Sequence, residues 1–354
     1  MTYYPILPYQ ELLKMYTQRK INLPVPPYPI EKYFQPASVD LPIGSYYQLG
    51  EQHHIGEVYQ LETTFLPSRI NSVREFIQEH GIIEQRFMNG SEGFVFEPNN
   101  IYLLPLDIEI DLSDRQYAEF QTRSSAGRND LFVSIIQDKN PEEWNKTTVG
   151  YQGKLWMLVI AQSFPIMIYP GDALAQMRIH EETYRSIFTE NSIDPVHFTL
   201  HLDPDDRISL YRSRTSNDAD PIEFRAKEQY RSLEYWIGIA TDETRTVLLS
   251  PGHLYIGRSI ETIAVPDRLA LDLIGRNSRV GEMFIHYAGF IDPGFGMSGQ
   301  TSIVFEIRVD RPTLVRDRQR IATANVIPLQ SPTEKPYAGT YQLQALRLGK
   351  QFKP

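Results

Sequence analysis

The chain has 354 residues and a formal net charge of −9, so two domains are expected and a general nucleic-acid-binding protein is disfavoured. The absence of cysteine excludes disulfides and thiolate metal sites. No apolar run is long enough to span a bilayer and no signal-peptide pattern opens the sequence, so we expect no membrane partner and a cytoplasmic location.

Two short helices are predicted, and most of the remaining sequence has the pattern of strands. Residues 9–18 carry Leu12, Leu13 and Tyr16 on one face of a helix, and residues 72–80 form the second candidate. Elsewhere, short blocks of β-branched and aromatic residues are separated by turn residues, and the 25 prolines suit turns and edge strands. The sequence therefore predicts a mainly β protein of barrel or jelly-roll type.

An internal repeat indicates that the fold is duplicated. Residues 114–125 recur as residues 267–278, and in both an Asp-Arg pair is followed eight residues later by a second arginine, which begins Arg-Ser-Ser or Arg-Asn-Ser. Residues 164–176 similarly parallel residues 311–323. Two copies of such a long period indicate tandem domains, which we place at residues 1–185 (copy one) and 186–354 (copy two).

The copies differ at positions that carry chemistry. The polar turn of copy one contains Arg123, Ser124, Ser125 and Arg128. Copy two has Glu306 on a strand where copy one offers only Leu158 or Val159. In turn, copy two has Asn277 in place of the first serine and Gly281 in place of the second arginine. Each copy therefore holds only part of a polar site.

Residues 271–309 hold the candidate chemistry of copy two. Asp292 lies in a Gly-Phe-Ile-Asp-Pro-Gly-Phe corner, where it either fixes the turn or contacts a ligand. Glu306 interrupts the apolar run 303–307, and a carboxylate in such a place is costly unless it is paired or used. It is either an ion-pair partner of Arg308 or Arg276, or a catalytic group.

Together these motifs resemble those of a known enzyme family. Residues 288–295 (Ala-Gly-Phe-Ile-Asp-Pro-Gly-Phe) with Glu306, residues 35–41 (Gln-Pro-Ala-Ser-Val-Asp-Leu) and residues 123–128 (Arg-Ser-Ser-Ala-Gly-Arg) are similar to signatures of the dCTP deaminases, which belong to the trimeric dUTPase-like superfamily. Residues 210–215, with Tyr235 and Trp236, resemble the long two-module form. The resemblance implies tandem dUTPase-like domains of distorted jelly-roll or β-barrel type, with few short helices.

Hydrolytic deamination of dCTP to dUTP and ammonia is the activity that the resemblance implies. Other nucleobase deaminases activate water with a zinc site that needs cysteine, and this chain has none. The resemblance instead implies a metal-free mechanism in which Glu306 is the general acid/base, with its pKa raised by apolar surroundings, and Ser124 and Arg128 orient the water. The other binding residues expected are Arg123, Ser125, Arg276, Ser278, Arg279, His286, Ala288, Asp292, Tyr337 and Gln342.

The expected ligands and assembly follow from the same resemblance. We expect dCTP and dUTP as ligands, no required cofactor, no zinc, Mg²⁺ only as the counterion of the triphosphate, and a trimer-based homo-oligomer. A composite site would unite Ser124 and Arg128 of copy one with Glu306 of copy two. If like copies form threefold rings instead, copy two works alone with Ser278 and Arg279.

Two other functions stay open. The first is a dUTP pyrophosphatase, or a bifunctional deaminase and pyrophosphatase, in which Asp292 activates water against the α-phosphorus with magnesium. The second is a nucleotide-binding module whose catalysis has decayed, as Leu158, Asn277 and Gly281 suggest.

Three weaker patterns complete the sequence. His197 and His201 have the spacing of metal ligands but alternate as on a strand, without an obvious third ligand. An arginine run at 308–320 forms either a solvated strand edge or a phosphate-facing or intersubunit surface. Residues 336–342 resemble the tail of the family, which folds over the nucleotide as a lid, although a frayed terminus gives the same pattern.

Overall fold

A computed structural model describes most of the chain. The described residues are 4–24, 28–44, 54–80, 84–89, 93–182, 195–215, 219–275, 283–284, 288–299 and 301–353. Within these ranges, no helix is both long and apolar enough to cross a membrane.

Short strands dominate the described chain, as the sequence predicts. The helices are α1 (Tyr9–Thr17), α2 (Val73–His80), α3 (Ser124–Gly127) and α4 (Ser232–Tyr235), with 3-10 helices at Ile30–Lys32 and Pro67–Arg69. The strands are β1 (Ile21–Asn22), β2 (Val39–Pro42), β3 (His54–Leu61), β4 (Glu84–Asn89), β5 (Phe94–Phe96), β6 (Ile101–Asp111), β7 (Gln116–Thr122), β8 (Leu131–Gln137), β9 (Gln152–Ala161), β10 (Ile166–Ile168), β11 (Ala173–Glu181), β12 (Val196–Thr199), β13 (Leu210–Ser213), β14 (Ile222–Glu223), β15 (Trp236–Ile239), β16 (Thr246–Leu249), β17 (Tyr255–Ile263), β18 (Leu269–Gly275), β19 (Met283–Phe284), β20 (Phe290–Ile291), β21 (Thr301–Val309), β22 (Thr313–Arg316) and β23 (Arg320–Pro328).

Both predicted helices are confirmed. Helix α1 follows Pro8 and buries Leu12 and Met15. Helix α2 is preceded by Ser72, whose hydroxyl accepts a hydrogen bond of 3.1 Å from the backbone N–H of Glu75. A serine in this position satisfies an N–H that the first helical turn leaves without a partner, so it stabilises the start of the helix.

The strand pairing confirms that the fold is duplicated. In copy one, β9 lies between β6 and β8, and β7 pairs with β11. In copy two, β21 lies between β17 and β19, and β18 pairs with β23. The same pairing order recurs around the two motifs that the sequence repeats, so copy two is a second instance of the β fold of copy one.

The largest hydrophobic cluster spans both copies. It combines Leu131 and Phe164 of copy one with Trp236, Val304 and Phe352 of copy two. Strand β14 of copy two also pairs in parallel with β10 of copy one. Because burial of these side chains depends on both copies, the interface between them forms part of the folded core. The proposed boundary after residue 185 falls in residues 183–194, outside the described chain, and stays a prediction.

The copy-one strand that lacks the acid is apolar on both faces. Leu158 packs in a cluster with Val73 and Ile77 of α2, and Val159 lies in the shared core. Both residues are almost fully buried, with exposed fractions of 2% and 0%. Copy one therefore contributes no carboxylate at this strand position.

Candidate active site

A cavity lies between the two copies. Its polar wall from copy one is formed by Gln35, Asp40, Arg123, Ser124, Ser125, Arg128 and Gln176. Copy two contributes the polar side chains of Asp292, Glu306, Tyr337, Tyr341 and Gln344. Copy two also supplies the apolar wall, which includes Ala288, Phe290 and Ile303. A concave site that combines an apolar wall with several convergent polar groups is typical of small-molecule sites.

Helix α3 positions the cationic side of this cavity. The chain leaves β7 at Thr122 and turns through α3, where the N–H of Arg128 donates to the carbonyl of Ser124 at 3.0 Å. Only 3% of Arg128 is exposed. Its guanidinium stacks 3.9 Å from the ring centre of Tyr341, and its Nη2 donates to Oε1 of Gln344 at 2.9 Å. These contacts fix the guanidinium plane before any ligand arrives.

Glu306 lies on β21, opposite this guanidinium. It is 2% exposed, and its Oε1 lies 4.0 Å from Nε of Arg128. The backbone N–H of Ala288 donates to its Oε2 at 3.4 Å. The structure thus brings Ser124, Arg128 and Glu306 to one cavity, which is the geometry of the composite site.

A second ion pair links β21 to the turn after α3, and here β21 carries the cation and the turn carries the carboxylate. Arg308, two residues after Glu306, donates from Nε to Oδ1 of Asp130 at 2.9 Å. Asp130, two residues after Arg128, is fully buried and also accepts a hydrogen bond from the hydroxyl of Ser163. The pair holds β21 against the turn that carries Arg128, so it fixes the relative position of the two candidate catalytic groups.

The Asp292 corner forms a further side of the cavity. Gly294 has φ of +91°, and a Cβ there would lie 2.6 Å from the backbone N of Tyr337, so glycine permits the close approach of the tail. Burial, and then the charge of Asp40, raise the pKa of Asp292 to about 7. Its Oδ1 has no hydrogen-bond partner among the described residues. Asp292 is thus a buried carboxyl group that faces the ligand space as well as a turn residue.

Asp40 lies in the motif at residues 35–41 and is a site residue that the sequence did not predict. Asp40 is 3% exposed, and its Oδ2 pairs with Nη2 of Arg123 at 3.0 Å and accepts from Nε2 of Gln35 at 2.9 Å. Burial raises its pKa, although Arg123 acts in the opposite direction. An acid inside an apolar strand segment, the same signal that singled out Glu306, could have identified it.

The C-terminal tail packs over the cavity and differs in detail from expectation. Tyr337 lines the cavity as predicted, and its N–H donates to the carbonyl of Pro293 at 2.8 Å. Gln342 is not among the lining residues, because its Nε2 donates to the carbonyl of Gly294 at 3.0 Å. Gln344, two residues later, lines the cavity and binds Arg128 instead. The tail therefore belongs to the site, while its motion as a lid stays a prediction.

Several predicted residues lie elsewhere. Arg276, Ser278, Arg279 and His286 fall outside the described residues, as do Asn277 and Gly281. His201 pairs with Asp206 at 3.0 Å, and His197 lies 3.2 Å from the hydroxyl of Thr323. Within the described ranges, no three His, Cys, Asp or Glu side chains converge as a metal site. Arg311, Arg316, Arg318 and Arg320 are exposed and do not line the cavity.

Family models cover nearly the whole chain. The model of the N-terminal domain of 2'-deoxycytidine 5'-triphosphate deaminase matches residues 4–183, and that of the C-terminal domain matches residues 172–352. A crystal structure of 2'-deoxycytidine 5'-triphosphate deaminase from Agrobacterium tumefaciens has the same fold, with a TM-score of 0.78 over 94% of this chain and 100% of that chain, at 24% identity.

Curated relatives match shorter segments. A protein of Mycobacterium avium (strain 104) named "dCTP deaminase, dUMP-forming" is 36% identical over 95 residues, which is 26% of this chain and 49% of that protein. A protein of the same name from Methanosphaera stadtmanae is 28% identical over 153 residues, 43% of this chain and 73% of that protein. This chain therefore spans about half the length of the first relative.

Proposed function

Because the chain belongs to the 2'-deoxycytidine 5'-triphosphate deaminase family, we propose that the cavity between its copies binds dCTP and deaminates it. The observation that carries this proposal is the buried pair of Arg128 and Glu306, with 4.0 Å between Nε and Oε1. A cation and a carboxylate contributed by different copies meet at a cavity wall, so both can face a water and a planar base that are bound in the cavity.

The chemistry that we propose uses Glu306 as the proton carrier. Water attacks C4 of cytosine while Glu306 accepts its proton and passes it to N3, which forms a tetrahedral intermediate. A further proton moves from the attacking hydroxyl to the amino group through the same carboxylate. The C4–N bond then breaks, and ammonia leaves with uracil as the product base. Overall, dCTP and water give dUTP and ammonia.

Residues of copy one position the reactants in this mechanism. Arg128 is held by Tyr341 and Gln344, so it presents a fixed positive charge to the carboxylate and to charge that develops on the attacking oxygen. We assign water orientation to the Ser124 hydroxyl, and sugar or phosphate contacts to Arg123, Ser125 and Tyr337. The side chains of Arg123, Ser124, Ser125, Arg128 and Tyr337 all line the cavity. Gln342 does not line it and instead holds the tail to the Asp292 turn.

We propose that deamination needs no zinc. Any Mg²⁺ enters with the triphosphate as part of the substrate. We further propose that the protein is a trimer-based homo-oligomer that does not bind nucleic acid, and the cytoplasmic location expected from the sequence stays a prediction.

A second reaction at the same cavity is favoured by one specific observation. Asp292 is buried, has a pKa of about 7, and has an oxygen without a hydrogen-bond partner in the described chain. A carboxylate with such a pKa can accept a proton from water near neutral pH. Attack of that water on the α-phosphorus of dUTP would break the bond to the β-phosphate and give dUMP and pyrophosphate. The relatives named "dUMP-forming" support this candidate.

One incubation separates these possibilities. The purified chain is incubated with dCTP, and nucleotides are resolved by chromatography while ammonia and pyrophosphate are measured. Equal amounts of dUTP and ammonia support deamination alone. dUMP and pyrophosphate, together with ammonia, support both reactions, and Asp292→Asn should then accumulate dUTP. Binding of dCTP without any product would show that catalysis has decayed and would refute the proposal.

A further inference from the structure

A row of polar side chains lies on strands β7 and β11 of copy one. The two strands are paired, and residues on the same face form three directly opposed pairs, which are Gln176 with Gln121, Arg178 with Glu119 and His180 with Tyr117. We call this set the polar row. Gln176 lines the cavity at one end of the row, and His180, which is 1% exposed, lies at the other end. The polar row therefore connects the cavity with buried polar groups that the proposed reaction does not use.

Arg178, at the centre of the polar row, is held by acidic side chains of both copies. Its Nη2 lies 3.2 Å from Oε2 of Glu119, and its Nη1 lies 3.4 Å from Oδ1 of Asp272 on β18. Burial opposes the ionisation of Glu119, but His180, 3.1 Å away, and then Arg178 lower the pKa of Glu119 to about 2. Glu119 is therefore charged near neutral pH, and its attraction for Arg178 does not depend on pH in that range.

Ion pairing alone does not account for this arginine. It is 2% exposed, and its Nε and Nη1 have no hydrogen-bond partner among the described residues. Desolvation of a charge costs free energy that an ion pair recovers only when its hydrogen bonds are complete. Well-packed apolar residues often replace buried ion pairs without loss of stability. The contact that distinguishes Arg178 is the one that it makes with the cavity wall.

Arg178 stacks on a side chain of that wall. Its guanidinium carbon lies 4.7 Å from the ring centre of Phe290, which is the cross-strand neighbour of Asp272. Phe290 is 5% exposed and lines the cavity, whereas Arg178 does not line it. By contact, Arg178 therefore acts on a bound molecule through the ring of Phe290.

The segment that carries Phe290 connects Glu306 with Asp292. Two residues before Phe290, the backbone N–H of Ala288 donates to Oε2 of Glu306 at 3.4 Å. Two residues after Phe290 lies Asp292, whose pKa is raised by burial and lowered in part by the charge of Arg178. Displacement of the ring would therefore move both the hydrogen-bond donor of Glu306 and the carboxyl group of Asp292.

We propose that Arg178 is a positioning residue that fixes the ring of Phe290 as the wall against which the pyrimidine base packs. This inference rests on the proposed function, and it adds a residue outside the cavity that sets the position of the base. Arginine suits this role because its planar guanidinium stacks on an aromatic face while its fork pairs with two acids. A single side chain thereby ties the ring to both copies.

The kinetics of a double-substitution cycle test this role. Arg178→Met keeps an unbranched side chain but removes the charge, Phe290→Leu removes the ring, and a third variant combines both. We expect Arg178→Met to lower kcat for dCTP about 10-fold with a smaller change in KM, because the base is misplaced while contacts to the rest of the nucleotide remain. If Arg178 acts through Phe290, the double variant should lose no more than Phe290→Leu alone. Independent effects would multiply, and that result would contradict the proposal.

His180→Leu is the matched control. It removes the other partner of Glu119 from the polar row but leaves the contact between Arg178 and Phe290 in place. Its midpoint of urea unfolding should fall while kcat of the folded protein stays at the parent value. An equal loss of kcat in His180→Leu would show that the contact with Phe290 is not the cause, which overturns the proposal. If Arg178→Met does not fold, Arg178→Lys takes its place, because lysine keeps the charge between the two acids but lacks the planar group that stacks on the ring.

Fluorine NMR follows the ring without requiring deamination. The full chain carries 4-fluorophenylalanine at position 290, and the resonance is recorded with and without dCTP. We expect the resonance to move in Arg178→Met but not in His180→Leu, and we expect dCTP to shift it in the parent. An unchanged resonance in Arg178→Met overturns the proposal, as does a moved resonance with parental kcat and KM.

The same spectra separate failure of this inference from failure of the proposed function. If the parent binds dCTP but forms no product, the proposed function fails. A smaller dCTP-induced shift in Arg178→Met than in the parent then still supports the positioning role, and an equal shift overturns it. A parent resonance that dCTP does not move would place the base away from Phe290 and would also overturn the proposal.

Discussion

Replacing Arg128 with alanine tests whether the two copies form a single catalytic site. The side chain is 3% exposed, stacks on Tyr341, binds Gln344 and lies 4.0 Å from Glu306. Loss of one fixed charge donor at a reacting centre lowers kcat by about 10²–10³ in well-studied enzymes. Removal of one partner from a buried ion pair also costs about 3–5 kcal/mol of folding free energy, because the remaining charge stays buried. Arg128→Ala should therefore lose both activity and stability.

The two effects are separated with a companion variant and an added cation. Arg128→Ala/Glu306→Gln also removes the buried carboxylate, so its midpoint of urea unfolding should lie above that of Arg128→Ala. The double variant should remain inactive. Guanidinium ions added to Arg128→Ala at concentrations below those that unfold it should restore part of kcat, because they can occupy the vacated space beside Glu306 and Tyr341. A purely structural arginine would not respond in this way.

One result for Arg128→Ala would contradict the composite site. If Arg128→Ala folds and retains turnover of dCTP within about threefold of the parent, the cation of copy one takes no part in catalysis, since this is far below the loss expected for such a donor. Arg279→Ala then becomes the decisive variant. Loss of activity in Arg279→Ala alone would mean that copy two works with its own turn.

Three further predictions concern the proton carrier, the metal and the second carboxylate. Glu306→Gln should lower kcat by about 10²–10⁴ with dCTP affinity retained, as measured by steady-state kinetics and calorimetry; near-parent turnover would remove Glu306 from the mechanism. Zinc-selective chelation should leave deamination unchanged and elemental analysis should find no stoichiometric zinc, whereas loss of activity that zinc restores would contradict the metal-free mechanism. The pKa of Asp292 rises from 3.8 to about 7, and about 3 pH units at roughly 1.4 kcal/mol each correspond to at most about 4 kcal/mol. Ionisation of Asp292 in the unfolded state opposes folding increasingly as the pH rises from 4 to 7. The urea concentration at the midpoint of unfolding should therefore be higher for Asp292→Asn than for the parent at pH 8, but not at pH 4. Equal midpoints at pH 8 would refute the shifted pKa.

The duplication and the β class could be predicted from local sequence. Turn residues between short apolar blocks indicate strands wherever they occur, and the repeated Asp-Arg and Arg-x-Ser spacing needs no three-dimensional information. Glu306 could be predicted as a functional residue because burial of a lone carboxylate in an apolar run costs free energy unless it is paired or used. The same comparison of copies identified Leu158 and Val159 as the apolar counterparts, and both are buried in the structure.

Which residues meet across the copies was decided only by tertiary packing. From the sequence, Glu306 could be an ion-pair partner of Arg308 or Arg276, or a catalytic group. The fold instead places Arg128 beside Glu306 and Arg308 beside Asp130. Asp130 and Arg308 are 178 positions apart, a separation over which periodicity and propensity carry no information. They come close because the largest hydrophobic cluster spans both copies and a strand of one copy pairs with a strand of the other. The polar residues of the two copies therefore line a single cavity only when the whole chain is folded.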